Sequence, residues 1–288
     1  MDRTQDAELH LNRLRLADGV ELHYIAQGQG EPLVLLHGGM GDFRSWGPQM
    51  EAFARSYRVI SYSRRYSYPN GNALNTRNHS AFVEAEDLAA LLRELRLTSV
   101  HFVGTSYGAF VALTYAVESP QTVRSLVLAE PPVHQWVRGS LGGEAVYLEF
   151  ISNVWMPATQ AFENGLVRHA MRLLFDGIRG RPMFDMLTPD LVTAIMRNAR
   201  SMQALALSSD PFPDLPKACV RQLDVPTLLV SGEHAIEIHR LVNAELARVL
   251  PHAEQAVIPD AGHGSPCENP VAFNEVVLRF LAGQRQRF

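Results

Sequence analysis

The chain has 288 residues, 47% of them apolar and 19% charged, a balance that supports a large buried core and excludes disordered or collagen-like chains. Lys and Arg number 26 against 30 Asp and Glu, a formal charge of −4. That lacks the basic excess which nucleic acid or an anionic membrane favours, so neither is expected as a partner and a small, weakly polar molecule is. Cys219 and Cys267 are too few for a disulfide scaffold or a four-ligand zinc site. The opening Met1 to Asp6 is polar, without the basic-then-apolar order of a secretory signal, and no run of 18 apolar residues occurs. A soluble, cytoplasmic protein is expected, built as one core with an insert.

In chain order, short β-type runs alternate with helical ones, the rhythm of a sheet covered by helices on both faces. Val20–Gln27 alternates like a strand, and after the turn at residues 28–32 the continuous apolar run Leu33–Leu36 reads as a strand buried on both sides. Tyr57–Tyr62 is the next strand. Ser80–Leu95 carries apolar residues at helical spacing, with Ser80 placed as N-cap. Val100–Val103 reads as a central strand, followed by a small-residue helix over Ser106–Val117 and a strand at Ser125–Ala129.

The rhythm then breaks. From Pro131 to Pro216 only helical patches separated by Gly or Pro are found, which reads as an inserted helical cap. It resumes with a strand at Pro226–Val230, a helix over Glu237–Leu250, a strand at Glu254–Ile258 and a last helix over Pro270–Leu281. The organisation expected is a core of residues 1–130 and 217–288 with a cap of residues 131–216.

Three motifs carry chemistry. Gly104-Thr105-Ser106-Tyr107-Gly108 fits G-x-S-x-G between an apolar strand and a helix, the setting that presents a serine on a tight corner. His37-Gly38-Gly39-Met40-Gly41 follows an earlier strand, where glycines let main-chain N–H groups turn towards a developing oxyanion. Gly39 is the expected donor, with Met40 second and Tyr107, the residue after the serine, supplying another; His37 is expected to brace the loop. The same glycines do not fit a dinucleotide fingerprint, since the order G-x-G-x-x-G is absent. A serine hydroxyl needs a base with a pKa near neutrality, and His263, in Asp260-Ala261-Gly262-His263-Gly264 after the last strand, is placed to be one. His10, His23, His79, His169 and His252 have no motif around them.

The order of glycine loop, G-x-S-x-G and late histidine resembles the α/β-hydrolase fold family over about Val20 to Leu281. The resemblance implies an α/β fold with a mostly parallel, eight-stranded sheet and a helical cap after the sixth strand. It implies Ser106 as nucleophile, His263 as base and no need of a metal or organic cofactor. Most members carry an acid three residues after the glycine that ends the seventh strand, but Ala235 stands there. Some members, fungal zearalenone lactonases among them, place the acid at the end of the sixth strand. Glu130 occupies that position and is the choice here, ahead of Glu233, with Glu237 and Asp260 as minor candidates.

A second departure follows the fourth strand, where relatives have Asp-x-Arg-Gly-x-Gly and this chain has Ser61 to Asn70, with Arg64 and Arg65 among tyrosines. These arginines either hold a substrate or tie down the loop. With serine on the corner, the haloalkane dehalogenase and epoxide hydrolase branches, which use a carboxylate there, are disfavoured.

Six of the nine methionines (Met156, Met171, Met183, Met186, Met196 and Met202) fall in the cap, beside Phe150, Phe162, Phe175, Phe184, Trp136 and Trp155. Short helices need such residues simply to pack, yet together they suit an adaptable apolar cavity, with Trp136, Trp155 and Phe150 expected against substrate. The expected activity is hydrolysis of a hydrophobic ester or lactone through an acyl-enzyme, by a monomer or homodimer. Carbon–carbon bond hydrolysis, other cofactor-free chemistry on this fold and a non-catalytic receptor are the alternatives, the last suggested by Ala235.

Overall fold

The apolar runs assemble into a single sheet because their alternate residues feed two separate cores. In a computed structural model describing residues 10–250 and 252–284, Leu33 and Leu35 face one core while Val34 and Leu36 face the other. Val127 and Ala129 are divided in the same way from Leu126 and Leu128. A strand covered on both faces has no polar side, hence the unbroken hydrophobic runs.

The eight strands are β1 (Asn12–Arg15), β2 (Glu21–Gln27), β3 (Pro32–Leu36), β4 (Arg58–Tyr62), β5 (Val100–Thr105), β6 (Val123–Ala129), β7 (Thr227–Gly232) and β8 (Glu254–Ile258). Their spatial order is β1-β2-β4-β3-β5-β6-β7-β8. β2 runs antiparallel to both its neighbours, and from β4 to β8 all pairings are parallel. Helix α1 (Gly47–Ala54) covers one face together with the C-terminal α12 (Pro270–Gln284). α2 (Ala81–Glu94), α3 (Tyr107–Glu118) and α10 (Glu237–Val249) cover the other. The polar opening Met1 to Asp6 lies outside the described residues.

Between β6 and β7 the chain forms α4 (Gly143–Phe150), α5 (Met156–Glu163), α6 (Val167–Arg179), α7 (Pro189–Met196) and α8 (Ala199–Ala206), and no strand among the described residues. A π-helical stretch, Ile151–Trp155, joins α4 to α5. α6 buries Ala170, Met171, Leu174 and Phe175, one stripe at helical spacing. The insertion is tied to the sheet domain by Asn198, whose amide donates to Asp42 Oδ2 (2.8 Å) and accepts from the Tyr68 N–H (2.9 Å). The short α9 (Lys217–Arg221) leads back to β7, and α11 (Ser265–Glu268) precedes α12.

Two elements are not visible in the sequence pattern. β1 has only four residues at the sheet edge, alternating between half-buried and exposed, too short for a periodicity to register. α1 mixes apolar and small residues and starts at Gly47-Pro48, which reads as a turn although Pro is tolerated at a helix's first position. Ser80 does occupy the N-cap of α2, but its side chain makes no capping bond. The capping role expected of its hydroxyl is therefore not met.

The crossing of β3, β5 and α3 is close enough to admit only glycine at one point. A Cβ on Gly108 would fall on the carbonyl oxygens of Leu36 and His37, backbone atoms that cannot swing aside. Gly108→Ala should therefore lower stability by about 2 kcal/mol or more, read as a fall in the thermal unfolding midpoint.

Candidate active site

Ser106 stands between the end of β5 and the start of α3 with φ 52° and ψ −127°, a conformation that non-glycine residues adopt at a cost of about 1–3 kcal/mol. Its N–H donates to the Ala129 carbonyl at 2.7 Å, and its own carbonyl accepts from the N–H groups of Ala109 and Phe110. Gly104 permits the corner, since a Cβ there would lie 2.6 Å from Ala109 Cα. Among the described residues, four that are not glycine have positive φ: Arg96, Ser106, Glu130 and Asp260. Three of the four surround this edge of the sheet, a clustering typical of strain held for function.

The glycine loop after β3 is fixed from its buried side. His37 Nδ1 donates to the Gly38 carbonyl (2.8 Å), while its Nε2 accepts from the Arg64 N–H (3.0 Å), so the imidazole is a single neutral tautomer. Burial, reinforced by the Arg64 charge, pushes its pKa down to about 3. Arg64 Nη2 and the Gly41 N–H also donate to the Gly38 carbonyl, each at 3.1 Å. The Gly38–Gly39 peptide is trans, so an oxygen held on the Arg64 side turns the Gly39 N–H the opposite way. Gly39, Met40 and Tyr107 all line the cavity above Ser106. Tyr107 opens α3, where an N–H has no acceptor within the helix; its phenol donates to the Pro211 carbonyl at 2.9 Å.

Arg64 is 1% exposed and is consumed by this loop. It donates through Nε to the His37 carbonyl (3.1 Å) and through Nη1 to Glu84. Burial pushes the Glu84 carboxyl up, but Arg64 and His79 outweigh it and hold its pKa at about 2. Arg65 forms a two-bond pair with Asp87. Both arginines tie down the loop, and neither lines the cavity.

His263 Nδ1 lies 2.6 Å from Glu130 Oε2, and because a carboxylate accepts, Nδ1 carries the proton and Nε2 is left as the acceptor. Glu130 itself has φ 48° and accepts the Gly232 N–H at Oε1 (2.8 Å). Gly232 is needed for a second reason, because a Cβ there would fall on the carbonyls of Ala261 and Gly262. Its bare backbone lets the histidine loop lie directly over the end of β7. Glu233 is exposed and accepts from the Asp260 N–H at 2.9 Å. Ala235 is buried at the position where an acid is more usual.

Ser106 and His263 open into the same cavity of about 460 Å³, roofed by the helical insertion. Phe150 and Trp155 are part of its wall, with Phe175, Phe212, Met183 and Met202. Trp136 is not, and the expectation for it is corrected: the indole N–H donates to the Leu215 carbonyl at 2.7 Å, which turns the ring into the base of the insertion. Met171, Phe162 and Phe184 are packed in the core, and Met156 and Met186 are exposed.

His134 and His239 also line the cavity, and no sequence motif marks either. Glu130, His239 and His263 bring potential ligand atoms within 4.8 Å of one another. The two imidazoles are stacked with centroids 4.2 Å apart and planes 18° from parallel, so their in-plane lone pairs cannot converge on one ion.

A mostly parallel sheet carries, at one edge, a strained serine at a strand-to-helix corner and a histidine held by a carboxylate. The family model for the alpha/beta hydrolase fold matches residues 31–270, and the chain belongs to that family. It is 25% identical over 288 residues to a 2-hydroxy-6-oxononadienedioate/2-hydroxy-6-oxononatrienedioate hydrolase of Paraburkholderia xenovorans, covering 94% of each chain. Among solved structures, Est816, described as an N-acyl homoserine lactone degrading enzyme, superposes with a TM-score of 0.73 at 24% identity, covering 93% of this chain and all of that one. The carboxylesterase CesB of Bacillus subtilis gives 0.72 at 20% identity, covering 96% and 93%. The structural likenesses carry the fold, and the comparisons together support a hydrolase. Among the described residues no helix is long and apolar enough to cross a membrane.

Three buried histidines are held neutral here. Burial lowers His134 to about 3 and His239 well below the ordinary value, with the neighbouring His263 adding to each, and burial with the Arg64 charge lowers His37 to about 3. A depressed folded-state pKa means stability that is complete above the unfolded value near 6.5 and is lost as pH falls towards 3. Asp87, raised to about 6 by burial, works in the opposite sense. His134→Phe should flatten the decline of unfolding free energy between pH 6 and pH 4 by about 1.4 kcal/mol per pH unit, measured by denaturant titration across that range.

Proposed function

We propose that the protein is a serine hydrolase that cleaves carboxylic esters or lactones of hydrophobic small molecules through an acyl-enzyme. The observation that carries this reading is the contact of His263 Nδ1 with Glu130, made beside a cavity that Ser106 shares. With Nδ1 protonated, Nε2 is free to take the Ser106 proton as Oγ attacks the carbonyl carbon. Glu130 keeps the imidazole in that tautomer and stabilises the imidazolium that forms. The N–H groups of Gly39 or Met40 and of Tyr107 receive the oxyanion, and loss of one such donor costs about 10²-fold or more in rate.

His263 then protonates the leaving alkoxide, which in a lactone stays tethered to the acyl group, and later deprotonates the water that releases Ser106. Residues 131–216 act as the cap that covers the substrate, and its aromatic and thioether wall favours an apolar acyl or alkyl chain. The names of the lactone-degrading and esterase structures support the same substrate class. The Paraburkholderia relative is named for a different cleavage, and a carbon–carbon hydrolase is the second reading. Turnover of simple p-nitrophenyl esters together with phosphonylation of Ser106 by a fluorophosphonate, Oγ displacing fluoride from phosphorus, favours the first.

Ser106→Ala should leave the unfolding midpoint unchanged and reduce p-nitrophenyl ester turnover by about 10⁴-fold or more. Undiminished turnover overturns the nucleophile. Comparing Glu130→Gln with Glu233→Gln assigns the acid: kcat should drop about 10²- to 10⁴-fold in the first and stay within about threefold in the second.

A further inference from the structure

His239 lies in the first turn of α10, is 2% exposed, and has no part in the mechanism above. Its ring lies flat on that of His263. Its Nε2 is 3.4 Å from the Ile178 carbonyl at the end of α6, and since a carbonyl only accepts, Nε2 carries the proton. Nδ1 is then a buried acceptor with no donor in reach among the described residues. Leaving such an atom unmatched is costly, and a leucine would fill an ordinary core position without that cost. Its flat, neutral ring against the imidazole of His263 is what this position supplies.

The same end of α6 makes a second contact with the histidine loop. Arg179 Nε lies 3.5 Å from Glu268 Oε1, and Glu268 Oε2 accepts the Gly262 N–H at 2.6 Å. Adjacent residues of the insertion thus touch both supports of His263, one on its ring face and one on its loop. The bond to Glu130 fixes only one edge of the imidazole, about which the ring can still tilt. The stack removes that freedom.

We propose that His239 is a positioning residue: held by the Ile178 carbonyl, its ring fixes the plane of His263, so that seating of α6 over the cavity sets the geometry of proton transfer from Ser106. This rests on His263 being the base. A purely structural residue would affect stability alone, whereas misplacement of a base appears in the chemical step.

The test is steady-state kinetics on a p-nitrophenyl ester with His239→Leu, His239→Phe and His239→Gln in the full chain. His239→Leu should lower kcat by about 10- to 100-fold with KM within about twofold, because the ring face is gone. His239→Phe keeps that face and should restore kcat to within about fivefold of the parent. Should the leucine variant fail to fold, His239→Gln, which keeps a donor for Ile178 but no ring, should show the same loss. A leucine or glutamine variant with kcat within about twofold of the parent, a loss confined to KM, or a phenylalanine variant as impaired as leucine overturns the proposal. His263→Ala separates the two readings. If it is inert while His239→Leu is fully active, only the positioning role falls; if it retains turnover, the base assignment falls with it.

Discussion

The site depends on one carboxylate that joins three separate stretches of chain. Glu130 sits at the end of β6, accepts the N–H of Gly232 from the end of β7 and holds the ring of His263 from the loop after β8. The backbone at residue 130 stands at φ 48°, in the left-handed region, where the side chain makes both acceptor bonds. Gly232 is constrained just as tightly. Its N–H must face Glu130, and its missing side chain must leave room for the Ala261 and Gly262 carbonyls. Sheet register, a strained corner and a loop path therefore converge on a single imidazole.

The glycine loop shows the same logic with a cation in place of the carboxylate. A fully buried guanidinium is expensive to desolvate, and it is tolerated because nearly every donor of Arg64 is matched, by Glu84 and by the carbonyls of His37 and Gly38. The return is directional. Carbonyls drawn towards Arg64 on one side turn the Gly39 N–H away from it on the other, and under the proposed function a donor so aligned costs no reorganisation during reaction. The neutral His37 fits the same arrangement, because a second positive charge beside Arg64 would be repelled.

The core strands were legible in the sequence because burial on both faces leaves a run with no polar position, as at Leu33–Leu36. The serine corner was legible because only glycine fits at 104 and 108, and such constraints are local. The edge strand β1 and the Gly-Pro start of α1 were not, being too short or too turn-like to show a period. Contacts across the sheet are illegible for a different reason. Glu130 and Glu233 each end a neighbouring strand, and only the path of the loop at residues 259–264 brings His263 to one of them and the Asp260 N–H to the other. The arginine pair and Trp136 carry the same lesson: composition shows that a side chain will be placed, and tertiary partners such as Glu84, Asp87 and the Leu215 carbonyl show where.

His134 and His239 are costly residues if stability alone is considered. His134 has both ring nitrogens unmatched and rests on Phe150 and Phe212 at about 5 Å, while Phe212 in turn meets Trp155 at 4.6 Å. The rings form a continuous path from His263 through His239 and His134 into the helical insertion. Rings in edge and face contact hold preferred geometries, whereas methionine, with three rotatable side-chain bonds, fits itself to irregular space. Methionine and leucine in the wall can adapt to a ligand, whereas the path of rings, on the role proposed for His239, steadies the imidazole. Both kinds of surface line the cavity: methionines adapt where ligand shape varies, and the rings reach back through His239 to His263.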